Sequence, residues 1–176
     1  MQHNEQSVGE LSTAMLLGIS LLVVILDQLT KYLCNSMLSY GQPLTVFPGF
    51  DLLLAYNTGA AFSFLSDAGG WQRWFFTALS FGISLLILFW IVRLPKHEKL
   101  LAFALCLILG GAVGNLIDRV LQGYVVDFIS LYFQQYRFAT FNIADSAISI
   151  GAMLMVLEVI RAKPQATSEQ TDREDD

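Results

Sequence analysis

The sequence is poor in charge, in cysteine and in histidine. Asp, Glu, Lys and Arg make up only 14% of its 176 residues, whereas roughly 25% is usual for a soluble domain. The two cysteines, Cys34 and Cys106, lie in or beside separate apolar runs, so neither a disulfide framework nor a metal site is indicated. The two histidines lie in the leader and in a short loop, and no CxxC, HExxH or P-loop pattern is present. Histidine-based catalysis therefore has little support.

A basic cluster is missing as well. The net charge is −5, and much of the negative charge lies in the C-terminal segment 163–176, which we expect to be a disordered cytoplasmic tail. Without clustered Lys and Arg there is nothing to hold a phosphate backbone. We therefore predict that nucleic acid is not a partner.

Long apolar runs are what the sequence has in abundance. Hydrophobic residues make up 55% of the chain, and the mean hydropathy is +0.55. A spanning helix needs roughly 20 mostly apolar residues. We predict four such helices in one membrane domain, 11–162, after a cytoplasmic leader, 1–10, with spans at about 11–33, 74–92, 100–117 and 141–160. The first run lacks a basic n-region and a small-x-small cleavage site, which indicates a retained helix.

The basic residues predict the orientation of these spans. Arg93, Lys96 and Lys99 lie between spans two and three, and Arg161 and Lys163 follow span four. By parity these two regions share one side, and the positive-inside rule makes that side cytoplasmic. We expect both termini to be cytoplasmic.

The same parity places seven further charged residues at the outer face. Charges near or within the hydrocarbon region are costly and usually mark function. The residues concerned are Asp27, Lys31, Arg73, Asp118, Arg119, Asp127 and Asp145.

The first outer loop carries a strand pattern. Residues 44–47 and 50–56 are mostly apolar and flank Pro48-Gly49, which favours a turn. A tight turn of small residues, 57–62, follows. We predict an all-α membrane protein with four transmembrane helices and a small extracytoplasmic β-hairpin cradle between spans one and two.

Asp127 and Asp145 are the candidate catalytic pair. Two neighbouring carboxylates cannot both ionise easily, so they share a proton. One can then accept a proton from water while the other donates to a carbonyl oxygen. Structural interpretations are favoured on spacing alone: Asp145 with Asn142 resembles a helix capping box, and Asp127 could be an ordinary solvated loop acid.

Other polar and small residues also allow structural interpretations. The run 110–114 has the small-xxx-small spacing of close helix packing in lipid. Asp118-Arg119 could be an interfacial anchor pair, and Asp27 with Lys31 (i, i+4) could be a structural salt bridge.

Taken together, five ordered blocks resemble lipoprotein signal peptidase, the signal peptidase II family of bacterial membrane aspartic proteases. The blocks are Asp27-Gln28-Leu29-Thr30-Lys31, Asn57-Thr58-Gly59-Ala60-Ala61-Phe62, 110–119, Val125-Val126-Asp127-Phe128-Ile129 and Phe141-Asn142-Ile143-Ala144-Asp145-Ser146. The resemblance runs from about residue 15 to 160. One departure is Phe138-Ala139-Thr140, where the family often has Pro, and it puts the path of the chain before span four in question.

The resemblance implies a catalytic dyad of Asp127 and Asp145 and no metal or cofactor. It implies supporting or substrate-binding roles for Asp27, Lys31, Asn57, Gly59, Asn115, Asp118, Arg119 and Asn142. The implied substrate is a diacylglyceryl-modified prolipoprotein, cut just before its lipidated cysteine. We expect a monomer in contact with phospholipids of the bacterial inner membrane, with its active site at the extracytoplasmic face.

Three rival functions stay open at this point. In a proton-coupled transporter, Asp27, Asp118 and Asp145 would form a relay, although such a relay should cross the bilayer and these acids cluster at one end. A non-catalytic scaffold would use the glycine-rich third span as an interaction face. A third possibility is cleavage of signal peptides that carry no lipid.

Overall fold

The computed structural model describes residues 12–59 and 70–161. The described chain folds into four helices and four strands: α1 Thr13–Met37, β1 Pro43–Phe47, β2 Phe50–Asn57, α2 Trp71–Arg93, α3 Lys99–Leu121, β3 Val125–Phe133, β4 Tyr136–Phe141 and α4 Ile143–Arg161. Each of the four helices is long and apolar enough to cross a membrane. The leader 1–10, the tail 163–176 and the turn residues 60–62 of the sequence prediction lie outside the described residues.

The helices run further than their apolar runs. α1 continues to Met37 rather than ending near residue 33, and α3 continues past residue 117 to Leu121. Asp118 and Arg119 therefore lie within the last turns of α3. Polar residues there make tertiary contacts that offset their burial, so hydropathy alone places the helix end too early.

The helix of span four begins two residues after its predicted start at about residue 141. Phe141 is the last residue of β4, and α4 begins at Ile143. Asn142 between them caps the helix, because its side-chain oxygen accepts a hydrogen bond from the backbone N–H of Asp145 at 2.9 Å. The apolar character of the sequence continues across this boundary, which hides the change from strand to helix.

α3 is the central helix and contacts α1, α2 and α4. Its small residues permit this close packing. A Cβ at Gly110 would lie 2.7 Å from the Cβ of Val23, and one at Gly114 would lie 2.7 Å from an Asp27 carboxylate oxygen. An apolar core cluster that includes Leu16, Ile91 and Leu105 fills the bundle toward the end where α1 and α3 begin.

The strands form one antiparallel sheet in the order β1-β2-β3-β4. β1 and β2 pair around the Pro48-Gly49 turn as expected, but an all-α fold with one hairpin understates the sheet. β3 adds to β2 with Ala55 opposite Asp127, and β4 adds to β3 with Ile129 opposite Phe141. Residues 138–140, whose path was in question, belong to β4.

Candidate active site

Asp127 and Asp145 come together from two different elements. Asp127 lies on β3, and Asp145 lies in the first turn of α4. Asp127 is only 3% exposed, so the interpretation of this residue as a solvated loop acid is wrong. Asn142 bridges the two carboxyl groups, since its side chain donates to Asp127 Oδ1 at 2.7 Å and its backbone N–H donates to Asp145 Oδ2 at 3.3 Å.

Amide groups hold both carboxylates. The Asn142 side chain donates to Asp127 Oδ1 at 2.7 Å, and the Asn57 side chain donates to Asp127 Oδ2 at 3.2 Å. Asp145 Oδ1 accepts from the Asn115 side chain at 2.8 Å. Within the described residues no Lys or Arg forms an ion pair with either carboxylate. The pair is therefore held by neutral donors.

Asn142 also forms the capping box expected of a structural residue. Its backbone N–H donates to Asp145 Oδ2 at 3.3 Å, which reciprocates the bond from the Asp145 backbone to Asn142 Oδ1. The structural interpretation and the catalytic one are compatible here. The cap fixes Asp145 in a place where the Asn142 side chain also reaches Asp127.

The environment raises the pKa of Asp127 to about 7. Burial is the largest cause, since it disfavours the charged form, and the nearby charge of Asp145 adds to it. Hydrogen bonds from Asn57 and Asn142 and the charge of Lys31 act in the opposite direction. The Asp127 carboxyl can therefore gain and lose a proton near neutral pH, as a general acid or base must.

A buried ionic cluster of Asp27, Lys31 and Asp118 lies behind the pair. The Lys31 ammonium is 2.8 Å from Asp27 Oδ2 and 2.9 Å from Asp118 Oδ2. It also donates to Asn115 Oδ1 at 2.9 Å, so the cluster contacts an amide that holds Asp145. Asp27 and Lys31 do form an ion pair within one helix, but both residues are buried and Lys31 also has partners on α3.

Three groups complete this cluster that the sequence analysis did not assign to the site. The Gln28 side chain donates to Asp118 Oδ1 at 2.9 Å. The backbone N–H groups of Val126 and Ala144 donate to Asp118 Oδ2 at 3.1 Å and to Asp27 Oδ1 at 2.9 Å. Gln28 lies in the first of the five blocks, but a search of the sequence for ionisable residues does not single out an uncharged side chain. The backbone donors have no signal in the sequence.

Arg119 connects the pair to the turn after β2. Its guanidinium donates to the backbone carbonyl of Gly59 at 3.3 Å and lies 5.7 Å from the centre of the Phe76 ring. It interacts electrostatically with Asp145, Asp127 and Asp118. The turn is braced from within by a 3.0 Å bond from the Gly59 N–H to Asn57 Oδ1.

A family model described as signal peptidase (SPase) II matches residues 19–161. The chain belongs to the signal peptidase II family. A protein named lipoprotein signal peptidase from Acinetobacter baumannii is 52% identical over 149 residues, which cover 85% of each chain. Another of that name from Hydrogenovibrio crunogenus is 45% identical over 162 residues, 92% of each chain.

The fold of this signal peptidase II chain is also found among solved structures. A bacterial membrane enzyme structure determined by the in meso method at 2.3 Å resolution aligns with a TM-score of 0.78. The alignment covers 98% of this chain and all of the other, at 29% sequence identity. The four helices and the sheet therefore belong to one membrane-enzyme fold.

All ten site residues predicted from the sequence of this signal peptidase II chain lie in one connected region. The eight besides the pair are Asp27, Lys31, Asn57, Gly59, Asn115, Asp118, Arg119 and Asn142, and each is linked to the pair directly or through one or two other residues of the set. Their individual roles stay predictions. Residues 12–59 and 70–161 contain no group of three or more His, Cys, Asp or Glu side chains that could hold a metal ion.

A second polar cluster in this signal peptidase II chain lies on the sheet. Asp51 on β2 accepts from the Arg137 guanidinium of β4 at 2.7 Å, and Arg137 also donates to the Ser130 hydroxyl of β3. Hydrogen bonding to Arg137 lowers the pKa of Asp51 and outweighs the effect of burial. Asp51 and Arg137 are 86 positions apart, so only the strand register brings them together.

Proposed function

We propose that this chain is an aspartic endopeptidase that removes the signal peptide from diacylglyceryl-modified prolipoproteins. It would hydrolyse the peptide bond just before the lipidated cysteine. The observation that carries this proposal is the buried pair Asp127 and Asp145, each held by amides, with the pKa of Asp127 raised to about 7. Membership of the signal peptidase II family supplies the reaction class.

In the proposed mechanism the pair shares one proton. The ionised carboxylate takes a proton from a water molecule, and the protonated one donates to the carbonyl oxygen of the scissile bond. The resulting tetrahedral intermediate collapses when the leaving amine gains a proton from the pair. In this proposal the starting proton belongs to the pair rather than to one residue.

The turn at Asn57 and Gly59 would close over the peptide beside the lipidated cysteine. Asn57 contacts Asp127 directly, and the Gly59 carbonyl accepts from Arg119, so a substrate contact at this turn is coupled to the pair. A residue without a side chain permits close approach of the peptide backbone.

The site would lie at the extracytoplasmic face of the inner membrane. The basic residues Arg93, Lys99 and Arg161 lie at the helix ends opposite the pair, and basic residues favour the cytoplasmic side. The proposed substrate is anchored by its lipid in the outer leaflet, so its scissile bond would be presented at the depth of the pair. We expect both termini inside and a monomeric enzyme among phospholipids.

The test is cleavage of a purified lipid-modified precursor in lipid nanodiscs, followed by mass spectrometry. We expect Asp127→Asn and Asp145→Asn each to lower turnover by about 100- to 10,000-fold, which is the usual contribution of a general acid or base. Ser84→Ala on α2 is the matched control, since the Ser84 hydroxyl donates to the Ser80 carbonyl of its own helix at 2.7 Å. Near-normal turnover of either Asp variant would overturn the proposal that Asp127 and Asp145 are the catalytic pair.

The same assay with an unmodified precursor tests the substrate class. We expect the lipid-modified precursor to be cut at the bond before the cysteine and the unmodified one to be cut far more slowly. Equal rates for the two precursors would show that lipid recognition is not part of the function.

A further inference from the structure

Three asparagine amides, those of Asn57, Asn115 and Asn142, contact the catalytic pair, and each amide has two possible orientations. An Asn side chain carries an acceptor oxygen and a donor nitrogen of nearly the same shape. With the nitrogen toward a carboxylate, the amide donates to the ionised form; with the oxygen toward it, only a protonated carboxyl can bond. The orientation of Asn115 and Asn142 therefore decides which protonation state of the pair is favoured.

The orientation of Asn142 is set locally. Its Oδ1 accepts from the Asp145 backbone N–H at 2.9 Å, so its nitrogen must point away from the helix start and toward Asp127. The backbone N–H of Asp145, fixed in the first turn of α4, therefore determines that the Asn142 nitrogen donates to Asp127.

The orientation of Asn115 has a different cause. Its Oδ1 accepts from the Lys31 ammonium at 2.9 Å and from the Asn142 nitrogen at 3.2 Å. An ammonium carries three donors and no acceptor. If the Asn115 amide were reversed, its NH₂ group would face both of these donors and its oxygen would face the Asp145 carboxylate.

We propose that Lys31 is a positioning residue for catalysis, whose donor-only ammonium fixes the Asn115 amide so that its nitrogen is held on Asp145. The proposal rests on the function proposed above. Besides forming ion pairs, Lys31 would thus set the direction of the hydrogen bond between Asn115 and Asp145.

The surroundings of Lys31 leave its ammonium no other arrangement. Its three donors are taken by Asp27, Asp118 and Asn115 at 2.8 to 2.9 Å. Asp27 is held in turn by the Ala144 backbone, and Asp118 by Gln28 and the Val126 backbone. Around the pair, the charged groups on α1 and α3 are these two carboxylates, Lys31 and Arg119.

This arrangement directs donors toward both carboxyl groups of the pair. Asp145 Oδ1 faces the Asn115 nitrogen, and Asp127 Oδ1 faces the Asn142 nitrogen. The Oδ2 atoms accept as well, from the Asn142 backbone N–H at Asp145 and from the Asn57 side chain at Asp127. The side-chain amides of Asn115 and Asn142 stabilise the singly charged state of the pair that the reaction needs.

The test compares Lys31→Met with Lys31→Gln. Both remove the ammonium charge, but only Gln retains an N–H that can face Asn115 Oδ1. Losing the charge also raises the pKa of Asp127, because Lys31 lowers it in the wild type. We expect both limbs of the pH dependence of kcat to move upward by roughly one unit in Lys31→Met and by less in Lys31→Gln.

The expected loss in kcat is about 100-fold for Lys31→Met and about 10-fold for Lys31→Gln, a range common for groups that orient a functional ligand, with little change in KM. Ser20→Ala is the matched control. The Ser20 hydroxyl donates to the Cys106 carbonyl at 2.9 Å, so losing it weakens the contact of α1 with α3 at a place away from Asn115. The pH dependence of the Ser20→Ala enzyme should therefore match that of the wild type.

Equal losses in the two Lys31 variants with unmoved pH limbs would overturn the proposal, since a purely structural role would give that result. If Lys31→Met does not fold, the charge-balanced Asp27→Asn/Lys31→Met enzyme is compared with Asp27→Asn alone, under the same expectations. Failure of the wild type to cut a lipid-modified precursor would overturn the proposed function instead, so the two failures are distinct.

Discussion

Asp51 and Asp127 are a natural comparison within one sheet. They lie on the neighbouring strands β2 and β3, and each is 3% exposed. Asp51 accepts from a guanidinium, which lowers its pKa, whereas Asp127 accepts from two amides beside a second carboxylate, and its pKa rises to about 7.

The difference shows that its bonding partners decide what a covered carboxylate can do. A carboxylate paired with a cation is a fixed anion that joins three strands. One that is deeply buried, offered only neutral donors and placed near another acid remains able to exchange a proton. Three predictions test whether this contrast is real, and they run from the largest expected effect to the smallest.

The first prediction concerns stability and has opposite signs at the two positions. Because the folded-state pKa of Asp127 lies above the ordinary 3.8, its effect on stability is favourable below about pH 4 and is lost as pH rises through about 7. Asp127→Asn removes this penalty, so we expect the variant to be more stable than wild type at pH 8, by about 2 to 4 kcal/mol.

Asp51→Asn should do the reverse. A lowered pKa stabilises the folded state above about pH 4 and stops doing so as pH falls below that value. The variant should melt at a lower temperature than wild type at neutral pH and lose this difference in acid. Thermal unfolding of both variants in detergent at several pH values gives the comparison; shifts of the same sign at pH 8 would contradict it.

The second prediction makes Asp127 resemble Asp51. Asn57→Lys places an ammonium where an amide now donates to Asp127 Oδ2. An adjacent cation lowers the pKa of Asp127, so the proton is lost at lower pH, and the pH optimum should move toward acid by about 1 to 2 units. Activity at neutral pH should fall by roughly 5- to 50-fold, because an acid that is mostly ionised donates poorly. The pH dependence of cleavage is the measurement, Asn57→Gln is the uncharged control, and an unmoved optimum would count against the account.

The third prediction disturbs the ionic cluster without removing a charge. A Cβ at Gly114 would lie 2.7 Å from Asp27 Oδ2, so Gly114→Ala should displace that carboxylate and with it Lys31. We expect a stability loss of about 1 to 3 kcal/mol, typical of overpacking, and roughly 10-fold slower cleavage. Gly82→Ala on α2 is the control, because a Cβ there meets nothing within 4 Å. Equal effects of the two changes on thermal unfolding and cleavage would show that the cluster tolerates displacement.

The spans and most of the polar site could be predicted from the sequence, because long apolar runs and the ionisable residues within them both stand out. Ionisable residues such as Asp27, Lys31 and Asp118 interrupt apolar runs, and their cost in a membrane makes them visible without a structure. The five ordered blocks carried the remaining site residues, including Asn57 and Asn115.

The sheet was harder to predict. Residues 125–128 of β3 are all buried, so the strand has no alternation of polar and apolar residues to distinguish it from a helix segment. The pairing of Asp51 with Arg137 depends on the register of three strands, which composition does not encode. Nor did spacing reveal that Lys31, through Asn115, reaches Asp145 on another helix.

The most direct test of the central claim is a titration of the Asp127 carboxyl itself. Carbon-13-labelled aspartate in the substrate-free enzyme, with Asp127→Asn to assign the signal, allows its protonation to be followed by infrared or NMR spectroscopy. The structure predicts a midpoint at about 7 for Asp127, raised by burial and by the neighbouring charge of Asp145. A midpoint near the ordinary 3.8, with no response to Asp145→Asn, would contradict the account.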